Sequence, residues 1–124
     1  MPFTTRYLLI ASMDVRPDKE ALFNEVYETE HVPMLRQVPG VVGVHRLVKR
    51  PVQLCIGGEL VQVDTSSEPK YSAVYEIESP EVLTGDAWGA AVEQGRWPQE
   101  VRPFTLHRRH ILRQVIEPGV PVLD

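Results

Sequence analysis

Residues 29–35, TEHVPML, bring a carboxylate, an imidazole and a proline into one short helical stretch. An imidazole with its ordinary pKa of about 6.5 gives and takes protons at neutral pH, so His31 is a candidate general acid or base. A structural histidine bonded to a backbone carbonyl is the alternative use. Tyr27 precedes His31 by one helical turn, and its hydroxyl could donate a hydrogen bond into the same site, with plain core packing as the alternative. His31 and Tyr27 are the candidate catalytic residues. Glu30 adjoins His31, but neighbouring helical residues point about 100° apart, so the two do not bond each other. An ion pair to Arg46, Arg102 or Arg108, or a contact to substrate, is expected of Glu30.

Besides Glu30, the candidate substrate contacts are His45, Tyr75 and Trp88. Tyr75 and Trp88, with Tyr71 and Trp97, are placed to line a cleft between a sheet and a second helix. His45 stands in a strand, where a change of register by one residue reverses its facing. The four histidines show neither HxH nor HExxH, nor a helical i, i+4 pair, which speaks against a zinc or iron site. No glycine-rich phosphate loop, dinucleotide fingerprint or nucleophile elbow occurs, so no cofactor is expected. Residues 107–110, HRRH, form two like-facing pairs on a strand, His107 with Arg109 and Arg108 with His110. One pair is expected to meet acidic residues across a dimer, and the other to face solvent or an anionic ligand.

The helix that carries His31 must begin near Pro17, whose fixed φ suits a first helical position, with Asp18 and Glu20 at the positive end of the helix dipole. Counting about 100° per residue from Phe23, the apolar side collects Val26, Tyr27, Met34 and Val38, with Glu30 and His31 inside it or at its rim. Lys19, Asn24, Glu25 and Glu28 fall outside. Pro33 lacks an N–H and clashes with the carbonyl of Thr29, so a kink or restart is expected at residues 30–32, with Val32 pushed out of the helical region. Pro39-Gly40 ends the stretch.

Strands are predicted over residues 6–13, 41–48, 71–77 and 104–116 from their β-branched and alternating apolar content. Residues 52–56 and 59–63 flank Gly57-Gly58 and read as a hairpin, set in an insertion at 51–69. A second helix, capped by Ser79, runs to about residue 94 with a break at Gly85. Residues 117–124 form an extended tail. The order strand, helix, strand, hairpin, strand, helix, strand predicts an α+β, ferredoxin-like split βαβ fold: a four-stranded antiparallel sheet with helices on one face, in a single domain spanning 1–124. Cys55, the one cysteine, has no internal partner, and a buried, inert thiol is expected between Leu54 and Ile56.

The composition is that of an ordinary globular chain of 124 residues, 43% hydrophobic and 24% charged. A formal net charge of −4 argues against a nucleic-acid partner. No apolar run approaches the length of a membrane span and no signal-peptide pattern opens the chain, so a soluble, cytoplasmic protein without a membrane partner is expected.

The chain resembles the dimeric α+β-barrel superfamily and, within it, the small EthD-like proteins. The resemblance rests on the YLLIASM strand, the TEHVPML helix end followed by PGVVGVHRL, the strand PKYSAVYEIESPEVL, and the Trp97-Pro98 and Arg102-Pro103 pairs before the last strand. It covers residues 7–115, with the hairpin as an addition. It implies a homodimer whose sheets face each other and a small-molecule cleft in each subunit between sheet and helices, with the histidine of TEHVP over the cleft. Relatives include monooxygenases, isomerases and cyclases. The expected function is therefore small-molecule binding, as a cofactor-independent isomerase, cyclase or monooxygenase, or as a non-catalytic ligand-binding or assembly domain. Haem degradation, known among relatives, is a third option.

The residues themselves also argue for the dimer. Leu8, Ile10, Val42, Val44 and Val74 alternate with equally apolar neighbours, so both sheet faces need cover, and a second copy is the simplest cover for the face without helices. Light scattering at micromolar concentration is expected to read twice the 14.1 kDa chain mass. A clean monomer contradicts the argument.

Overall fold

The structure, a computed structural model, describes residues 3–122. The chain runs β1 (Tyr7–Val15), α1 (Glu20–Val26), α2 (Val32–Leu35), β2 (Val41–Val48), β3 (Gln53–Ile56), β4 (Glu59–Gln62), β5 (Tyr71–Ile77), α3 (Asp86–Ala91) and β6 (Thr105–Gln114). The main sheet has the order β2-β5-β1-β6 with every neighbour antiparallel, as the split βαβ pattern predicts. In the central pair, Leu9, Ala11 and Met13 oppose Tyr75, Ala73 and Tyr71. These side chains turn toward the helices, because successive strand residues alternate between faces. They meet Phe23, Val26, Leu35 and Val101, all essentially inaccessible to water. Each such side chain contributes roughly 1.5–3 kcal/mol by leaving water. On the opposite face lie Leu8, Ile10, Val74, Leu47 and Ile111, of which Leu47 and Ile111 stay 51% and 41% exposed.

Between α1 and α2 the helix widens instead of kinking. Tyr27–His31 form one turn of π-helix, in which the Val32 N–H donates to the Tyr27 carbonyl. Val32 itself stays helical, at φ −62° and ψ −50°, so the expected restart at residues 30–32 is corrected. An extra residue in the turn displaces the Thr29 carbonyl with which the Pro33 ring would otherwise collide. The insertion also shifts part of the apolar stripe. Phe23, Val26, Tyr27, His31 and Val38 are buried as the count allows, but Leu35 is buried where the count chose Met34, and Glu30 is only half-buried.

A second widened turn, Trp97–Val101, precedes β6, with the Arg102 N–H donating to the Trp97 carbonyl. Ser79 makes no side-chain capping bond; a 3-10 turn at Pro80–Thr84 leads into α3, which is shorter than expected. The hairpin forms as predicted, its turn made by Gly57 and Gly58 at φ +60° and +80°, values that only glycine adopts without strain. It is a sheet of its own, and every residue of β3 is exposed, including Cys55. The expectation of a buried thiol is thereby corrected: the hairpin pairs with itself and not with the main sheet. Residues 117–122 carry neither helix nor strand, and the last two residues of the expected tail lie outside the described residues. No helix among the described residues is long and apolar enough to cross a membrane.

Candidate functional site

A cavity of about 460 Å³ opens between the sheet and the helical segments. This is within the usual range of small-molecule sites, about 300–1,000 Å³. Its walls are aromatic, formed by Tyr27, Tyr75, Trp88 and Trp97, with Leu9, Ala11 and Met13 of β1 as the floor. His31 lines it, and Arg102, Arg108 and His110 complete the lining from the side of β6.

His31 owes its place to the widened turn. Its ring stacks on Trp97 at 4.2 Å between centroids with an interplanar angle of 18°, and it meets Tyr27 edge-on at 5.0 Å. The residue is only 5% exposed, and Nδ1 is buried without a hydrogen-bond partner. A histidine kept to satisfy a carbonyl freed by Pro33 would show that bond from its ring. Burial, aided by the nearby charge of Arg102, pushes its pKa down to about 4. The ring is therefore neutral at physiological pH, with one nitrogen able to accept a proton and the other carrying its N–H. Leaving a buried polar nitrogen unpaired costs about 1–3 kcal/mol, a cost that a ligand able to bond it would remove.

Tyr27 and Tyr75 bond each other through their hydroxyls at 2.9 Å. Burial raises both phenol pKa values, so both stay protonated, and the pair has one hydroxyl proton left to donate. Tyr27 therefore meets His31 by its ring edge and not by a hydrogen bond. Arg46 sits over the other side of Tyr27, its guanidinium carbon 4.7 Å from the ring centre. Trp88, half-buried, packs edge-on against Tyr75 at 5.5 Å.

Four of the six residues singled out in the sequence thus meet in one cavity: His31, Tyr27, Tyr75 and Trp88. The other two lie elsewhere. Glu30, rotated out of the core by the widened turn, accepts from the Arg96 backbone N–H at 2.9 Å and from Arg96 Nε at 2.5 Å. Its partner is thus none of the three arginines expected, and those bonds hold its carboxyl below the usual carboxylate range. Gly95, at φ +70°, gives the carboxylate room, since a Cβ there would lie 2.5 Å from Glu30 Oε1. A shallower groove of about 330 Å³ on that outer surface includes Glu30 and Met34 but no histidine. His45 projects from the helix-free face of the sheet, where its Nε2 lies 2.9 Å from Glu76 Oε2. Its register opposite Val74 sets that facing. Among the lining residues that the sequence did not place in the cavity are Arg102, Arg108, His110 and Leu35. The alternation in HRRH was the available signal for Arg108 and His110.

Among the described residues no group of three His, Cys, Asp or Glu side chains is close enough to hold a metal ion. No family model matches the chain, and no curated protein matches it in sequence. Solved structures that share its fold include the following two. An ethyl tert-butyl ether D (EthD) family protein from Bacillus halodurans superposes with a TM-score of 0.57 at 16% identity, over 90% of this chain and 100% of the other. The haem degrader MhuD from Mycobacterium tuberculosis, with two haems bound in its active site, gives 0.56 at 17% identity, over 92% and 99%. The chain shares the α+β fold of these two dimeric α+β-barrel proteins, as its sequence suggested.

The depressed pKa of His31 has a consequence for stability. The unfolded chain takes up this proton near pH 6.5 and the folded one only near 4, so acid favours the unfolded state between those values. Stability is full above about pH 6.5 and falls as the pH drops toward 4, by roughly 3 kcal/mol from this group. Urea unfolding is expected to show about 2 kcal/mol of that loss between pH 6.5 and 5 in the wild type and a smaller one in His31→Phe, which keeps the stack. Identical slopes in the two proteins contradict the assignment.

Proposed function

We propose that the chain binds a small, flat, largely apolar molecule in the aromatic cavity and acts on it without a cofactor, by moving a proton. The observation that carries this reading is the neutral imidazole of His31, buried beside the cavity with an unpartnered nitrogen. The reaction class that suits it is isomerisation or cyclisation of a carbonyl compound. His31 accepts a proton from carbon, the free hydroxyl proton of the Tyr27–Tyr75 pair steadies the oxygen on which charge develops, and His31 returns the proton at another carbon. The substrate's atoms balance without any co-reactant. Trp88 and Trp97 hold the ring system and exclude water. A second copy of the chain, covering Leu47 and Ile111 on the far sheet face, completes the proposed assembly.

One observation favours a second reading. A neutral imidazole with a free nitrogen is also the ligand type of haem iron, and the MhuD structure holds haem in its active site. In that reading the imidazole of His31 or of His110 would hold the iron, and the guanidinium of Arg108 would suit a carboxylate of the macrocycle.

Thermal unfolding against a panel of flat aromatic and lactone-like compounds, run on wild type and His31→Ala, tests the first reading. A true ligand at about a hundred times its Kd stabilises by about 2.7 kcal/mol. The expected result is a rise in Tm for the wild type that is clearly smaller in His31→Ala. An equal response to every binder, with His31→Ala merely melting earlier, makes His31 structural and contradicts the proposal. Haemin in the same panel, followed by absorbance, favours the second reading only if its spectral shift is lost in His31→Ala or in His110→Ala.

A further inference from the structure

We propose that the ligand of this cavity is an organic anion, a flat apolar body bearing one carboxylate or comparably acidic oxygen, with the negative group held by Arg108 on β6. The inference rests on the preceding reading that the cavity holds a ligand, and it adds the chemical class.

The run His-Arg-Arg-His is divided by the sheet. The outward-facing members are already neutralised: His107 Nδ1 lies 2.8 Å from Asp14 Oδ2, and Arg109 donates to Glu68 at 2.7 Å and to the Ser67 carbonyl at 3.0 Å. The inward-facing members are not. Arg108 and His110 line the cavity, and among the described residues Arg108 has neither an ion pair nor a side-chain hydrogen bond.

A backbone irregularity aims Arg108 there. The register of β1 against β6 slips between Ser12 and Asp14, so that β6 spends one extra residue at this point, and His107 takes φ +53°, the strained left-handed region for a residue with a side chain. Leu106, paired with Asp14, faces away from the helices. Regular alternation from there would put Arg108 on that same outer face, and the bulge turns it to the cavity instead. Bulges that re-aim a side chain recur beside functional sites.

The rest of the lining agrees. The chain carries 17 acidic against 13 basic residues, yet no Asp or Glu lines this cavity. Arg102, the other arginine there, is already committed to Glu93 and to the Val92 carbonyl. That leaves Arg108, exposed to solvent at the edge of the cavity, as the lining arginine without a protein partner among the described residues, and His31 with an unpartnered Nδ1 further in. A molecule with a flat ring system and one anionic oxygen matches the walls and the charge together.

Calorimetric titration with 2-naphthoate and its neutral isostere 2-naphthamide tests this, on the wild type, Arg108→Gln and Arg109→Gln. The wild type is expected to bind naphthoate roughly tenfold more tightly than naphthamide, the scale of one charge-assisted hydrogen-bonded contact. Arg108→Gln is expected to bind the two alike, and Arg109→Gln to keep the wild-type preference. Equal binding of both probes by the wild type, or an undiminished preference in Arg108→Gln, overturns the anion assignment while leaving a ligand cavity in place. Failure of the folded wild type to bind either probe removes the ligand cavity for such ring systems, and the anion assignment with it.

Discussion

His31 and Trp97 stack where two widened helical turns meet, and the cavity is arranged around that contact. Pro33 follows the first turn at a place where an ordinary α-helix would not tolerate it, and Pro98 opens the second, where its missing N–H leaves no bond unmade. Just before each stacked ring stands one member of an ion pair, Glu30 before His31 and Arg96 before Trp97. That pair clamps the two turns from outside while the rings close them from inside. Glu25 adds a second carboxylate to Arg96 at 2.9 Å. Glu30 is thus a positioning residue for the cavity it does not line.

The stack sits against a sheet whose inward face is rigid and apolar, and this explains the chemistry available to the site. Water is excluded from around His31, so its charged form is disfavoured and the ring is held neutral. The two tyrosines are held neutral for the same reason. The cavity therefore presents uncharged acceptors and donors in its depth and fixed positive charge from β6, a polarity that runs from wall to rim. Such an arrangement suits an amphipathic small molecule better than a metal ion or a polyphosphate.

The fold was legible because it rests on periodicity. The alternation in 71–77 and 41–48, the Gly57-Gly58 turn and the two helices between strands fix a split βαβ order with little room for another. The site was only half legible, for a reason that lies in one residue. Counting at α-helical spacing placed both Glu30 and His31 near the core and could not choose between them. The extra residue forced by Pro33 made the choice, carrying His31 inward and Glu30 out to Arg96. The same spacing chose Met34 where the structure buries Leu35. His45 depended on strand register, which hydrogen bonding to β5 fixes and sequence pattern does not. Arg108 depended on a bulge at His107; histidine is among the non-glycine residues enriched at positive φ, but its presence alone does not place a bulge there.

The central claim is that His31 is a neutral, unpartnered imidazole at the edge of a ligand cavity. Nitrogen NMR of histidine-labelled protein reads protonation state, tautomer and hydrogen bonding of that ring directly, with His31→Phe assigning the signal. The account predicts a ring that stays neutral down to about pH 4 and whose nitrogen shifts move when a cavity ligand is added at pH 7. A ring that titrates near its ordinary value of about 6.5, or that ignores a bound ligand, would contradict it.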